Sequence, residues 1–366
     1  MRNKKFLRLF YNAQSIWYRF GYLWKKSYFC KMLSTHLRHM AGIVAIGGLM
    51  SLAACGAGRN RQNDSVSADA SAETAQTAVS VPEFSTDSAM GYLRRQVEFG
   101  PRVPNTEAHR KAGDWMVAEL KRRGAEVHEQ TADLTAFDGT VLKCRNIFAR
   151  FNPQAEGNRL LLMAHYDTRP WADQDPDAAN HKRPIDGAND GGSGVAVILE
   201  TARHLAADNP GTGIDILLSD AEDYGATEDE DSWALGARYF AQQMHANGWT
   251  PTQAILLDMV GGRGARFPYE YFSRQAAPAL DRAFRKAAVN AGYGHLFPDT
   301  PGSAVTDDHI ELIKMGVPAI DIIEYDEETG FNPTWHTMGD NIGNIDPATL
   351  KAVGQSLLQY IYENKQ

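Results

Sequence analysis

Short apolar runs alternate with amphipathic stretches along most of the chain, and nearly every run stops on a charged or imidazole side chain. Leu160 to Ala164 breaks at His165-Tyr166-Asp167; Ile214 to Ser219 leads into Asp220-Ala221-Glu222-Asp223; Ala254 to Leu257 meets Asp258; Ala319 to Ile323 contains Asp321 and meets Glu324. Runs this short and this apolar predict strands buried on both faces. Ala125 to Gln130 and Leu142 to Phe151 also read as strands. Helical spacing of apolar positions predicts helices over Thr86 to Phe99, Thr106 to Arg123, Val195 to Ala207, Trp233 to Asn247, Ala277 to Ala291, Asp308 to Met315 and Pro347 to Glu363. Ser85 or Thr86 would cap the first helix, Gly100-Pro101 would stop it, and Gly124 would stop the second. Strands that alternate with helices predict an α/β fold: one domain on a mostly parallel, doubly wound, twisted sheet with helices on both faces.

In open sheets of this kind ligands bind outside the carboxyl ends of the strands, which is where these acids and imidazoles fall. Asp190 belongs with them, since Asp186-Gly187-Ala188-Asn189-Asp190-Gly191-Gly192-Ser193-Gly194 lies between the Leu160 strand and the helix beginning near Val195. Glycines there let the backbone turn tightly. The same loop carries no lysine for a phosphate, which removes the P-loop reading.

The amino-terminal region departs from this pattern. An apolar stretch from Met40 to Ala54 follows His36, Arg38 and His39 and closes on Leu52-Ala53-Ala54-Cys55, which reads as a signal and lipobox with Cys55 as the lipidated residue. A plain secretion signal with an incidental cysteine is the alternative. Residues 1 to 31 are basic and aromatic and lengthen the signal unusually, so Met32 and Met40 are alternative starts. Residues 56 to 82 are rich in Ala, Ser, Thr, Gln and Asn and read as a flexible tether. The expected organisation is therefore a signal region at 1–55, a linker at 56–82 and a catalytic domain at 83–366, held at the bacterial cell envelope and facing the periplasm. With Cys55 lipidated and Cys30 removed, Cys144 would be the one thiol left and no internal disulfide could form. Among 366 residues, 43% apolar content suffices for a sizeable core, while a net charge of −8 and a pI near 5.8 argue against nucleic acid as a partner. Nothing in the chain specifies an oligomeric state.

Three cysteines with no CxxC leave His and carboxylates as the metal ligands on offer. His165 and Asp167, Asp190, Glu222-Asp223, Asp258 and His336 supply them. Such a set suits zinc, which takes about four ligands and keeps one position open for catalysis. Adjacent carboxylates allow one to bind metal and the other to carry a proton. Taken singly, an acid at a strand end is more often a helix cap, and a Trp-His pair is more often packing. Capping does not explain why acids recur at every such strand end.

This ordered series resembles the co-catalytic zinc aminopeptidases and their relatives, the zinc-dependent glutaminyl cyclases, from about Thr86 to the carboxyl terminus. In the aminopeptidase branch the positions of His165, Asp190, Asp223, Asp258 and His336 bind two zincs and that of Glu222 is the general base. Thr306-Asp307-Asp308-His309-Ile310 and Trp335-His336-Thr337-Met338 are similar to the cyclase branch, and Thr168-Arg169-Pro170-Trp171-Ala172-Asp173 to cyclases of Bacteroidetes-type bacteria. The resemblance implies conversion of N-terminal glutamine of peptides and proteins to pyroglutamate with release of ammonia. It implies one zinc on Asp190, Asp223 and His336, with Glu222, Asp307 and Asp258 as catalytic carboxylates. Trp335, Trp233 and Trp171 would bind substrate, and His165 and Asp167 would support the site or hold a second metal. Asp307 could share a proton with Asp258 and turn it from a second zinc, or could simply cap the helix beginning near Asp308. Two departures are Asp223, where animal cyclases carry glutamate, and Glu228, where they carry tryptophan. The alternative reading is a two-zinc aminopeptidase. A non-catalytic binding protein on the same fold is disfavoured because Glu222 is retained.

Overall fold

The structure, a computed structural model, describes residues 80–364 except residue 327. The expected signal region, Cys55 and residues 56–79 of the expected linker lie outside the described residues. Packing begins slightly before the expected boundary: Val81 lies against the core, and the Phe84 ring is buried with its N–H donating to Gln355 Oε1.

Six strands form one mixed sheet in the order β1-β2-β4-β3-β5-β6, with β1 Glu126–Thr135, β2 Val141–Phe151, β3 Arg159–His165, β4 Gly213–Ser219, β5 Gln253–Asp258 and β6 Ala319–Ile323. The pairs β4/β3, β3/β5 and β5/β6 are parallel, while β1/β2 and β2/β4 are antiparallel. The parallel half matches the sequence expectation. The antiparallel half arises from a hairpin: β1 runs on to Thr135, and the turn Ala136–Thr140 returns it through Asp138 and a positive-φ Gly139. Asp-Gly is a strong hairpin signal, and it accounts for the extra length of β1.

Alternate residues on each strand feed two separate cores, as period-two geometry requires. Leu160, Leu162, Ala164, Ile214, Ile216, Leu218, Ile255, Leu257, Ile320 and Ile322 face the larger one. It is closed by helices α1 Thr86–Glu98, α2 Glu107–Arg122, α3 Gly192–Ala207, α6 Pro278–Asn290 and α8 Pro347–Glu363. Leu161, Met163, Leu217, Ala254, Leu256 and Ala319 face the other, under α4 Leu235–Gln243 and α7 Asp308–Lys314. A short helix, α5 Tyr271–Ala276, precedes α6 and had no apolar period to announce it. The α4 helix is shorter than the expected 233–247 because Trp233 is extended and Ala234 is left-handed. Among the described residues no helix is long and apolar enough to cross a membrane. Cys144 is free and buried in β2.

Helix α3 starts directly at the glycines, three residues earlier than expected, because Gly194 lets it approach β5 at van der Waals range. A Cβ on Gly194 would stand 2.1 Å from the Leu257 carbonyl oxygen. Neither backbone can yield without moving Asp190 or Asp258. Gly194→Ala is therefore expected to lower unfolding stability by about 1–3 kcal/mol, the usual cost of overpacking. The urea midpoint is the check, and an unchanged midpoint would show that the contact has slack.

Candidate metal centre and active site

All the predicted ligand-type residues meet at the carboxyl edge of the parallel strands. β3 ends on His165, β5 on Asp258, and the segment after β4 carries Glu222 and Asp223, while Asp190 precedes α3 and His336 lies on a late loop. Backbone strain concentrates here: Ala221, Met259 and His336 are non-glycine residues with φ of 54°, 48° and 53°. Strained backbone of this kind persists where surrounding contacts over-determine it, as at functional sites.

Two triads form around one shared carboxylate. Asp190 Oδ1 lies 3.0 Å from His165 Nε2, which also lies 3.2 Å from Asp258 Oδ1. Asp190 Oδ2 lies 3.4 Å from His336 Nε2, which lies 3.2 Å from Asp223 Oδ1. Each group, His165–Asp190–Asp258 and Asp190–Asp223–His336, could hold a metal ion. Burial opposes ionisation of Asp190, but hydrogen bonding to both imidazoles holds its carboxyl below the usual range. Asp223 faces the opposite balance: burial and the Asp190 charge raise it to about 6, against His336 and Arg169.

The donor set fits zinc on one further observation. Both oxygens of Asp223 are buried without a hydrogen bond, and such orphaned acceptors are costly unless a cation meets them. Asp190, Asp223 and His336 would hold the ion and leave a coordination position open. In the other triad the three donor atoms already meet one another across His165.

Supporting contacts explain how these loops are fixed. Asp167 belongs to neither triad but supports both: its Oδ1 lies 3.6 Å from His165 Nδ1, and its two oxygens accept the N–H groups of Glu222 at 3.1 Å and Asp223 at 3.2 Å. Asp340, four residues after His336, accepts the N–H groups of Asn189 at 2.6 Å and Asp190 at 3.1 Å. Arg102 is fully buried and donates to the carbonyls of Tyr166, Asp186 and Gly187. Arg169, also buried, donates to the carbonyls of Asp223 and Gly225 and to Asp173, whose Oδ1 lies 3.6 Å from His336 Nδ1. Outer contacts of this kind orient metal ligands. Sequence reasoning assigned no individual role to Arg102, Arg169, Asp173 or Asp340, although Arg169 and Asp173 fall within the Thr168-to-Asp173 run already singled out.

Glu222 belongs to neither triad. Burial raises its carboxyl well above the usual range; Asp307, Asp223 and Asp308 add to this and His165 opposes it. Asp307 has the capping role offered as the plain alternative, since its Oδ1 accepts the Asp308 N–H at 2.5 Å. Burial and the Asp258 charge raise its carboxyl to about 7. Asp258 nevertheless points at His165, so the expectation that Asp307 turns it out of a ligand set does not describe this geometry.

The tryptophans separate into two roles. Trp335 stacks on His336 at 3.8 Å between centroids, and Trp233 lies nearly parallel to the same imidazole at 6.0 Å. Trp171 packs against Tyr224 and Phe137, further along the same side of the site.

Comparison with known proteins agrees with this geometry. A glutaminyl cyclase of Bacteroides thetaiotaomicron is 48% identical, with a TM-score of 0.76, over 78% of this chain and 100% of that one. A Zn-dependent exopeptidase of Parabacteroides distasonis is 49% identical, with a TM-score of 0.76 and the same coverage. Glutaminyl-peptide cyclotransferase of Bos taurus is 26% identical over 257 residues, 60% of this chain and 65% of the bovine protein, just under two thirds of its length. The model of peptidase family M28 matches residues 146–361, a span that runs from β2 into α8 and includes both triads. With more than half its length matched, this chain belongs to peptidase family M28.

Proposed function

We propose that the protein converts N-terminal glutamine of peptides and proteins to pyroglutamate with release of ammonia. The observation that carries this reading is 48% identity to a glutaminyl cyclase along that protein's whole length, with Glu222 and the Asp190–Asp223–His336 triad all in place here. A substrate of this kind already holds its nucleophile and electrophile in one molecule. Folding the glutamine side chain back therefore supplies much of the rate by proximity alone.

Asp190, Asp223 and His336 would hold zinc, which when bound would supply Lewis-acid polarisation of the γ-amide carbonyl. Trp335 and Trp233, flanking His336, wall the glutamine side chain and exclude water. Glu222 takes a proton from the α-amine as its nitrogen bonds to Cδ, the carbonyl carbon of the side-chain amide, then gives it to the amide nitrogen as that C–N bond breaks and ammonia leaves. Its raised carboxyl suits a group that must both take and return a proton. Asp307 and Asp258 steady the developing ammonium character nearby. One zinc per chain is the stoichiometry of this reading, supported by the orphaned oxygens of Asp223, while His165 Nε2 is already engaged by Asp190 and Asp258. Lipidation at Cys55 and residence at the cell envelope complete the proposal, supported by Leu52-Ala53-Ala54-Cys55.

Incubating the purified protein with Gln-initiated and Leu-initiated peptides tests the activity, with mass spectrometry as readout. Ammonia loss from the Gln peptides, with one zinc per chain by metal analysis, is the expected result. Release of N-terminal Leu by a protein holding two tight zincs, with no pyroglutamate formed, would overturn it.

Glu222→Gln is expected to keep its zinc and lose turnover by about 10²–10⁴-fold, the usual worth of general acid–base catalysis. Loss of zinc together with activity would make Glu222 a ligand instead.

Cys55→Ser is expected to move the protein from the membrane fraction to the soluble one when cells are fractionated. Unaltered membrane partition in that variant would refute the lipid anchor.

A further inference from the structure

The β1–β2 hairpin ends beside the site in a way the proposed chemistry does not need. Its turn is rigid: the Ala136 N–H donates to the Thr140 carbonyl at 2.8 Å, the Gly139 N–H to the Ala136 carbonyl at 2.9 Å, and the Thr140 N–H to Asp138 Oδ1 at 2.8 Å. Ala136 and Leu142 at its base are buried with Ala221 in a small separate core. Tyr224, the residue after Asp223, donates its hydroxyl to Asp138 Oδ2 at 3.3 Å. The hairpin tip is thus fastened to the same turn that carries Glu222 and Asp223.

On that tip Phe137 is 48% exposed, and Val141 beside it is 47% exposed. Large apolar side chains held open to water on an otherwise ordered turn mark a binding surface when they are continuous with other apolar area. Here they are. Phe137 lies 6.1 Å from Trp171 and 6.4 Å from Tyr224, which contact each other edge to face at 4.9 Å. The guanidinium of buried Arg169 then bridges the strip, 5.3 Å from the Trp171 ring and 4.8 Å from the Trp233 ring. Trp233 in turn faces His336. A chain of ring and guanidinium contacts therefore runs from the candidate metal centre to the hairpin tip, with Arg169 joining its two aromatic ends.

We propose that Phe137, Trp171 and Tyr224 form an extended subsite that binds apolar, above all aromatic, side chains of the substrate peptide downstream of its terminal glutamine. This rests on the proposed function, because the terminal residue must sit at the metal centre and the rest of the chain must leave outward. An extended peptide rises about 3.3 Å per residue, which brings residues roughly three to six places from the terminus over the strip. Offset and edge-to-face ring contacts supply the attraction, and the rings of Trp171 and Tyr224 are already ordered by their contacts. The glutamine wall selects the first residue; the hairpin arm selects among the proteins that carry it.

The test compares a Gln-initiated dipeptide with hexapeptides that carry Phe or Gly at positions three to six, using wild type, Phe137→Ala and Phe137→Leu. In wild type the Phe hexapeptides should exceed the Gly ones in kcat/KM by about 3–10-fold, through KM and not kcat. Phe137→Ala should erase most of that ratio, and Phe137→Leu should restore part of it. A ratio near one in wild type, or one that survives Phe137→Ala, overturns the subsite while leaving cyclisation of the dipeptide intact. Failure of wild type to cyclise any Gln substrate would overturn the proposed function and the subsite with it.

Discussion

Everything at the carboxyl edge of the sheet depends on one carboxylate shared between two imidazoles. Asp190 presents a different oxygen to His165 and to His336, so the groups from β3, β5, the β4 exit and the late loop are mutually positioned only while it stays in place. Buried charges are tolerated when they are paired and hydrogen-bonded, and costly otherwise. That rule explains why the backbone around Asp190 is held from several directions. Asp340 takes its N–H, Arg102 takes the carbonyls just before it, and Gly191 turns with φ of 77° where a Cβ would strike the His165 ring.

Acid on acid is the second constraint. Glu222, Asp223, Asp258, Asp307, Asp308 and Asp321 are buried close enough for burial and mutual repulsion to raise every one of them. Such a concentration of carboxyl groups destabilises a fold unless protons or a cation neutralise it. Two largely apolar strand faces, each packed by helices, carry that cost from outside the site. Stability and chemistry therefore sit on opposite parts of the same strands: apolar along their length, acidic at their ends.

Much of this was legible because each level repeats the same signal. Strand after strand, an apolar run ends on an acid or a histidine, and the doubly wound fold places such ends together, so His165, Asp190, Glu222, Asp223, Asp258 and His336 could be named from residue order. The antiparallel half of the sheet was less legible, because Thr131 to Thr135 lacks the apolar density of a buried strand, although Asp138-Gly139 marked the turn. Arg102 was not legible at all. Its importance comes from donating to three carbonyls more than sixty residues away, and no local pattern encodes that. The company Trp171 keeps was not legible for a related reason: its partners, Tyr224 and Phe137, come from separate segments.

The lone thiol among the described residues bears on how this domain responds to redox conditions. Cys144 is 2% exposed, and burial, with the charges of Asp220 and Asp167 behind it, pushes its thiol far above the range in which a reactive thiolate forms. Oxidants, alkylating agents and mixed-disulfide exchange all require that thiolate and access to it. Among the described residues the one cysteine is free and shielded, so the domain holds together without a disulfide and exposes no thiol. Its stability is indifferent to redox potential, a property that disulfide-built secreted domains do not share.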